Sequence, residues 1–264
     1  MRKYWAFCEA NIQNTIAYRG PILVWLVCNI LSLITIVAVW LSSSGGKTIG
    51  GYSKPELISY YIAALFLEWV VGWFPFYWLS DEIKNGEIII STLIKPISIF
   101  KKALALELGW HLVSSWVGLA ASLFLVFFFR QIVTFNFYFS KFAILIPVIT
   151  LSILITFSLS LCMGLLAFWF TEVVAVDSVY WMARTILGGQ GIPISFIPNQ
   201  YQILVKILPF RYMFSFPLEI YFGKLTEMEI IQGLIIQIFW FLILVRVYKL
   251  MWRTGRQAYT AFGH

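Results

Sequence analysis

Long apolar stretches alternate with short polar ones along this chain, and six of the apolar stretches are long enough to cross a membrane. A transmembrane helix needs roughly 20 apolar residues to cross the hydrocarbon core of a bilayer. The third and fourth stretches exceed that length, so we expect them to tilt or to project from the membrane. The pattern predicts an all-α membrane protein with six transmembrane helices, at residues 21–41, 57–79, 103–129, 142–170, 172–188 and 228–248.

Charged residues lie well inside the second and fifth of these stretches. Asp177 and Arg184 lie in the fifth, which ends early at Gly188-Gly189, and Glu68 lies near the middle of the second. Arg184 is about 12 residues into its stretch, and the helical rise of ~1.5 Å per residue therefore places it near mid-depth. Intramembrane charges are rare and are usually paired or line a wet cavity. We hypothesise that Glu68 and Arg184 are neighbours, either as a structural pair or as part of a pathway.

Residues 1–19 are expected to form a helix that lies in the plane of the membrane interface. Trp5, Cys8, Ile12 and Ile16 recur on one face of this helix, and cationic residues lie elsewhere on it. Aromatic side chains beside cationic ones are typical of a helix at the headgroup level. The alternative is a polar leader without a membrane role.

A charged stretch at residues 81–102, DEIKNGEIIISTLIKPISIFKK, separates the second and third apolar stretches. Its ionised groups would be costly in hydrocarbon, so the segment must face water or another protein. The apolar residues between Glu87 and Phe100 recur at mixed helical spacing, which indicates a short amphipathic helix packed against a partner. We expect this segment to be the cytosolic surface through which a soluble partner moves the membrane part.

The segment between the last two stretches, residues 188–227, is apolar but cannot be one continuous helix. Prolines stand at positions 193, 198, 209 and 217, and the cations Lys206 and Arg211 lie among them. A free loop would be more polar than this segment. The pattern favours broken helices that dip into the outer leaflet, where irregular backbone is tolerated only if protein or water covers it.

Composition supports a single membrane domain over residues 1–264. The chain is 61% hydrophobic and 12% charged, with a mean hydropathy of +0.85, and a soluble protein of this size could not cover itself with so few charges. The net charge of +7 comes from nineteen lysines and arginines at span ends and in loops, which does not favour nucleic-acid binding. With the N-terminus inside, eleven of these cations lie inside and seven outside. This bias predicts that both termini are cytoplasmic.

The sequence offers little chemistry of its own. Three cysteines without CxxC spacing and two histidines predict neither a disulfide framework nor a metal site. No GxxxxGK[ST] motif is present, so we expect no ATP hydrolysis by a P-loop in this chain. Small residues recur every four positions in the third and fourth stretches, from Ser114 to Ser122 and from Ser152 to Gly164, which favours close helix packing over a serine nucleophile. Glu107 and His111 lie four residues apart and are expected to share a local hydrogen bond.

The order of these elements resembles the ABC-2 type permeases of ATP-binding cassette exporters. The charged segment resembles the loop of that family with the form E…G…LL…P, in which Ile94 replaces the second leucine here. The segment after the fifth stretch resembles a bacterial subfamily of uncharacterised ABC-2 permeases. The loop residues are Glu82, Gly86, Glu87, Leu93 and Pro96, and the later series includes Gly188, Gly189, Pro193, Pro198, Pro209, Phe210, Pro217, Tyr221 and Gly223.

The resemblance implies a transport subunit in the plasma membrane of a bacterium, without enzymatic activity or a cofactor of its own. Two permease chains would form the pathway, and a cytosolic P-loop ATPase dimer that binds ATP and Mg would drive them. Members of the subfamily work as two different permease chains, and whether the second chain here is different or a second copy stays open. The resemblance assigns the five loop residues to the ATPase contact.

Two other function classes compete with this interpretation. One is a proton-coupled secondary transporter, with Glu68, Glu107 and Arg184 as its relay, although no internal repeat is evident. The other is a membrane-embedded lipid-modifying enzyme, which would need a cluster of acidic or histidine side chains at an interface. Aromatic residues make up 19% of the chain, which fits a lipid, drug or hydrophobic peptide as substrate and fits interfacial anchoring equally.

Overall fold

The computed structural model of the protein describes residues 2–43, 48, 50–72, 74, 76–88, 91–92, 97–134 and 139–258. Within these residues the fold is entirely helical, as the sequence predicts. Short 3-10 turns lie at Leu166–Phe168, Ile194–Phe196 and Pro209–Tyr212. The α-helices are α1 Arg2–Ala17, α2 Gly20–Ser43, α3 Lys54–Val71, α4 Tyr77–Lys84, α5 Ile99–Phe128, α6 Phe139–Leu165, α7 Val174–Leu187, α8 Asn199–Ile207, α9 Ser215–Tyr221 and α10 Glu227–Ala258.

Four segments are long and apolar enough to cross a membrane, namely Gly20–Trp40, Ile99–Phe128, Phe142–Phe168 and Glu227–Ala258. They correspond to the first, third, fourth and sixth predicted spans. The second and fifth predicted spans do not meet the same criteria of length and composition. Helix α3 has 18 residues and carries three charged residues, and α7 has only 14 residues. Length and composition thus establish four candidate spans among the described residues, and the six-span topology is not established by them.

The predicted second span, residues 57–79, is broken in the structure. Helix α3 begins at a capping box, in which Ser53 Oγ accepts from the Glu56 amide and the Glu56 carboxylate accepts from the Ser53 amide at 2.8 Å. It ends at Val71, because Gly72 has a φ of +71°, a left-handed conformation that glycine adopts without strain. A Cβ at Gly72 would overlap the His111 imidazole, so the bend also brings this backbone against α5.

Helix α1 packs on α5 through polar and small residues. Cys8 and Thr15 are buried, Asn11 Nδ2 donates to the Leu106 carbonyl, and a Cβ on Gly109 would overlap the Cys8 carbonyl. Of the predicted apolar face, Cys8 is buried in this contact, whereas Trp5 and Ile16 are exposed and are available to the membrane interface. A glycine on α5 admits the α1 backbone, which puts Asn11 and Thr15 in the contact instead.

The bundle has two ends, which are named here after the short helices α4 and α9. The α4 end contains α1, α4, the start of α5, the ends of α6 and α10, and the start of α7. At this end Ser80 Oγ donates to the Gly164 carbonyl at 3.4 Å and the Ser98 amide donates to Tyr4 Oη at 3.0 Å. The α9 end contains the start of α3, the end of α5, residues 188–226 and the start of α10. Trp240 Nε1 donates there to the Ile207 carbonyl at 2.8 Å.

Residues 188–227 form short helices rather than a loop, as predicted. Helix α9 is almost completely buried and packs on α3 and α6. Phe216 in this helix is fully buried, and a Cβ on Gly233 of α10 would overlap its ring. Residues 212–220 are thus part of the hydrophobic core of the bundle, whereas α8 exposes large apolar side chains such as Ile203 and Leu204.

Candidate functional site

Glu82, near the end of α4, pairs with Lys102 in the first turn of α5. Lys102 Nζ donates to both carboxylate oxygens, at 2.7 and 2.9 Å, and Ser91 Oγ donates to Oε2 at 2.8 Å. The ammonium also lies 5.3 Å from the centroid of the Trp78 ring. Since Lys102 is only 5% exposed, this ion pair lies inside the protein. Glu82 stabilises the α4–α5 junction, and its carboxylate is already occupied.

Gly86 and Glu87 lie at the turn that follows α4. Gly86 has a φ of +77°, so this position favours glycine for conformational reasons. Glu87 is exposed, and so is Asp81 on the preceding turn. Ile83 and Ile88 lie on the opposite side and are buried in the core of the α4 end. The segment is therefore amphipathic, with an acidic outer surface held in place by an apolar inner one.

The structure thus separates the five loop positions that the resemblance assigns to the ATPase contact. Glu82 is engaged within the chain, and Gly86 and Glu87 form an outward-facing turn. The other two, Leu93 and Pro96, lie outside the described residues. Only Glu87 combines exposure with a charge that a partner can reach, since the ion pairs among the described residues do not include it.

Arg184 and Glu68 lie in direct contact, as the hypothesis drawn from their depth requires. Arg184 Nη2 donates to Glu68 Oε1, and Nη1 donates to the Gly72 carbonyl at 2.7 Å. The guanidinium also lies 5.0 Å from the centroid of the Phe214 ring. Arg184 is 0% exposed. A single arginine on α7 therefore binds the C-terminal turn of α3 and contacts the residue just before α9.

A second polar contact fixes the other end of α7. Tyr77 Oη, on the first residue of α4, donates to Asp177 Oδ2. Asp177 and Arg184 are seven residues apart, or about two helical turns, so they share one face of α7 with Tyr180. Sequence reasoning treated Asp177 only as an interruption of a span. The seven-residue spacing of Asp177 and Arg184 was the signal that both point into the bundle.

The Gly188-Gly189 turn joins α7 to the next segment of the chain. Tyr60 Oη donates to the Gly189 carbonyl at 2.6 Å, and the Ser215 amide donates to the Gly188 carbonyl at 2.9 Å. Gly189 has a φ of +82°, and a Cβ there would lie 2.8 Å from the Ser215 Cβ. Tyr61 Oη, also on α3, donates to the Gly191 carbonyl at 3.2 Å. The turn is thus bound on both sides, by α3 and by the start of α9.

The remaining positions of the series mark the boundaries of the short elements. Pro193 comes just before a 3-10 turn, and Pro198 comes just before α8. Pro209 and Phe210 are the first two residues of another 3-10 turn. Pro217 lies in the first turn of α9, and Gly223, with a φ of +67°, comes after that helix. They shape the segment and bring no further charged group into it.

Two polar clusters in this segment were not predicted. Arg211 Nη2 binds Glu219 Oε2 at 2.6 Å, and Ser215 Oγ donates to Glu219 Oε1 at 2.6 Å. Charges eight residues apart in an irregular segment give no periodic signal. Gln237 of α10 is fully buried, and its Nε2 donates to the Tyr212 carbonyl at 3.1 Å. An amide side chain inside an apolar span was the available sign of that contact.

At the α9 end, Lys224 joins the residues after α9 to the start of α3. Its Nζ donates to the Gly51 carbonyl at 2.9 Å and to Glu56 at 3.1 Å, and it lies 4.6 Å from the centroid of the Tyr52 ring. Burial raises the pKa of the Tyr52 hydroxyl well above its ordinary value, and the carboxylates of Glu219 and Glu56 raise that pKa further. Tyr52 therefore stays neutral at physiological pH.

The expected hydrogen bond between Glu107 and His111 is not formed. Glu107 lines a small cavity with Trp78 instead, and His111 Nδ1 lies 3.4 Å from the Trp69 carbonyl. The bend at Gly72 draws His111 toward the end of α3 and away from Glu107. The described residues hold no group of three metal-ligating side chains.

The fold and these contacts define a helical membrane protein in which each buried cation of the described residues, Lys102, Arg184 and Arg211, is paired with a glutamate. The family described as ABC-2 family transporter protein matches residues 23–263, nearly the whole chain, so the protein belongs to that family and is a membrane component of a transporter. Comparison with curated proteins found no significant match.

Proposed function

We propose that this protein is the permease subunit of an ABC exporter. It forms the substrate pathway with a second permease chain, and separate cytosolic ATPase subunits that bind ATP and Mg supply the energy. The family match over residues 23–263 is the observation that carries this proposal. The paired state of Arg184 and Glu68 argues against the proton-relay alternative, because a relay needs groups that are free to exchange protons.

The ATPase contact lies at the α4 end, on the turn after α4. Asp81 and Glu87 are exposed on this surface, with the half-buried Lys84 between them in sequence, and the buried Ile83 and Ile88 connect it to the core. Gly86 shapes the turn. A displacement of this surface by a soluble partner would therefore move packed side chains rather than a loose loop. Leu93 and Pro96 remain candidates for the contact from the family resemblance.

The remaining topology follows from this assignment. The α4 end faces the cytoplasm of a bacterial cell, so both termini are cytoplasmic and α1 lies at the inner membrane surface. Trp5 on α1 and Tyr18 just after it are exposed beside the cations Arg2, Lys3 and Arg19, which suits the headgroup region. Helices α3 and α7 enter the bilayer along with the four longer spans. Residues 188–227 enter it from the outer side.

Affinity purification from native membranes tests this function. A tagged copy of the full chain should bring a P-loop ATPase with it, and the purified complex should hydrolyse ATP in lipid nanodiscs. Mass spectrometry identifies the companions, including any second permease chain. Complete uphill transport or catalysis by the chain alone, without a companion subunit, would overturn the proposal.

A further inference from the structure

We propose that α4 and α7 move as one unit, and that the contact between Tyr77 and Asp177 carries the motion of the α4 end to α7. This inference rests on the proposed function, since it assumes that a partner displaces the surface after α4. It adds a pair of positioning residues that neither touch the partner nor line an identified pathway. Helix α4, helix α7 and the Gly188-Gly189 turn each form one part of this coupling.

Helix α4 is short and is held at both of its ends. Glu82 joins it to α5 through the buried Lys102, and Tyr77 joins it to α7 through Asp177. Between them Leu79 is fully buried in the core of the α4 end. A helix of eight residues with polar contacts at both ends and a packed apolar side has little freedom to bend, so a displacement at one end reaches the other.

Two of the three buried side chains that the structure describes in helix α7 are charged groups. Among its described side chains, the buried ones are Asp177, Tyr180 and Arg184, while the opposite face is exposed, with Val179 at 67%. Tyr180, together with Val173 just before α7, also packs in an apolar cluster with Phe76, the residue before α4, so polar and apolar contacts together hold the start of α7. Asp177 holds the start of α7 to α4, and Arg184 holds its end to Gly72 and Glu68.

Helix α7 leads directly into a turn that is bound to the core of the α9 end. The Gly188 carbonyl accepts from the Ser215 amide at 2.9 Å, and a Cβ on Gly188 would overlap the Arg184 carbonyl. Arg184 also lies against Phe214. A shift of α7 therefore acts on the start of α9. The contacts run from Glu82 through Tyr77 and Asp177 to this turn, on one continuous path of bonded and packed groups.

Hydrogen exchange of the whole complex tests the role of the contact. The complex is placed in nanodiscs without nucleotide and then with ATP and vanadate, and exchange is followed in peptides covering 77–88 and 173–191. The Tyr77→Phe variant removes only the hydroxyl, and Asp177→Asn removes only the charge. Tyr180→Phe is the matched control, because it removes a hydroxyl from the same face of α7 whose contact with Ser160 is long, at 3.4 Å.

We expect ATP to change exchange in both peptides of the native complex. In Tyr77→Phe the change at 173–191 should fall at least twofold while the change at 77–88 persists, and Tyr180→Phe should behave like the native chain. An undiminished change at 173–191 in both Tyr77→Phe and Asp177→Asn would overturn the inference. Absence of any ATP-dependent change at 77–88 in the native complex would instead contradict the proposed function, which keeps the two failures distinct.

A crosslinking experiment tests the same inference by replacing the hydrogen bond between Tyr77 and Asp177 with a covalent link. Cysteines replace Tyr77 and Asp177 in a chain whose Cys8, Cys28 and Cys162 have been changed to alanine. A short bifunctional thiol reagent joins them, since a gap spanned by a tyrosine side chain exceeds the ~7 Å limit for a direct disulfide. If α4 and α7 move together, the crosslinked complex should keep at least half of its ATP hydrolysis. Loss of hydrolysis on crosslinking, restored when a cleavable reagent is reversed, would overturn the inference.

Discussion

Glu82 and Lys102 form an ion pair inside the protein, between the end of α4 and the first turn of α5. Both carboxylate oxygens are engaged, and Lys102 is nearly inaccessible to solvent. The glutamate that the family resemblance places at the ATPase contact is thus turned toward its own chain. Its role is to hold α4 in position, and the exposed Glu87 is left as the acidic group that a partner can reach.

The first prediction concerns the stability of that pair. Lys102→Met should lower the free energy of unfolding by about 1–3 kcal/mol, because Glu82 would lose its partner in a largely buried site. This is below the ~3–5 kcal/mol typical of a fully buried pair, since Glu82 retains some contact with water. Thermal unfolding in detergent, followed by size-exclusion chromatography, measures the effect. Lys101→Met is the control, because Lys101 is exposed and next in sequence, and its Tm should stay within about 1–2 °C of the native value.

The second prediction separates Glu87 from Glu82. Glu87→Lys should weaken capture of the ATPase by tenfold or more and leave the thermal stability of the chain unchanged, because the side chain is exposed. Co-purification yield and ATP hydrolysis of the complex provide the measurement. Glu227→Lys is a matched reversal of an exposed glutamate at the opposite end of the bundle and should keep both values. Equal losses in the two variants would show that charge at this turn is not what the ATPase recognises.

Much of the fold could be predicted from the sequence, because long apolar runs without charges leave few alternatives to a membrane helix. The helices α2, α5, α6 and α10 follow from this rule. The break after α3 was missed, since the residues after Gly72 remain aromatic and apolar and the hydrophobic pattern is continuous across it. Its signals in the sequence were Gly72, which takes a positive φ in the structure, and Pro75, because proline is disfavoured inside a helix.

The contacts of the site were less predictable than the helices. The contact between Glu68 and Arg184 could be predicted from their similar depth in the membrane, because two opposite charges at the same level of an apolar bundle have few other partners. No such argument applied to Glu82 and Lys102, whose pairing depends on how the chain folds back over a separation of 20 positions. The direction of a side chain on a short amphipathic helix is set by tertiary packing, which hydrophobic periodicity alone does not encode.

The third prediction tests the bend between α3 and α4. Gly72→Ala should destabilise the protein by about 2–4 kcal/mol, since a non-glycine residue at φ +71° costs roughly 1–2 kcal/mol and displacing the His111 ring adds a similar amount. Thermal unfolding checks this value. Gly20→Ala should be neutral or slightly stabilising, because Gly20 lies at the start of α2 with nothing near its Cβ position.

A companion variant divides the cost at Gly72 into its two sources. In Gly72→Ala with His111→Ala the overlap is removed but the strained φ remains, so about half of the lost stability should return beyond the cost of His111→Ala alone. Complete recovery would mean that the backbone at Gly72 is not under conformational constraint. No recovery would mean that the imidazole is not what lies against this residue.

The fourth prediction distinguishes a structural role of the Arg184–Glu68 pair from a role in proton movement. Glu68→Gln keeps an acceptor for Arg184 Nη2 and removes the titratable group, so the complex should still assemble and hydrolyse ATP at more than half of the native rate. Arg184→Lys keeps the charge but cannot reach both Glu68 and the Gly72 carbonyl, so it should lower Tm by several degrees. Arg253→Lys, at an exposed position of α10, is the control for the same change. Since a proton relay requires the carboxyl group and tolerates a loss of packing, the opposite order of effects, with Glu68→Gln inactive and Arg184→Lys intact, would assign the pair to proton transfer.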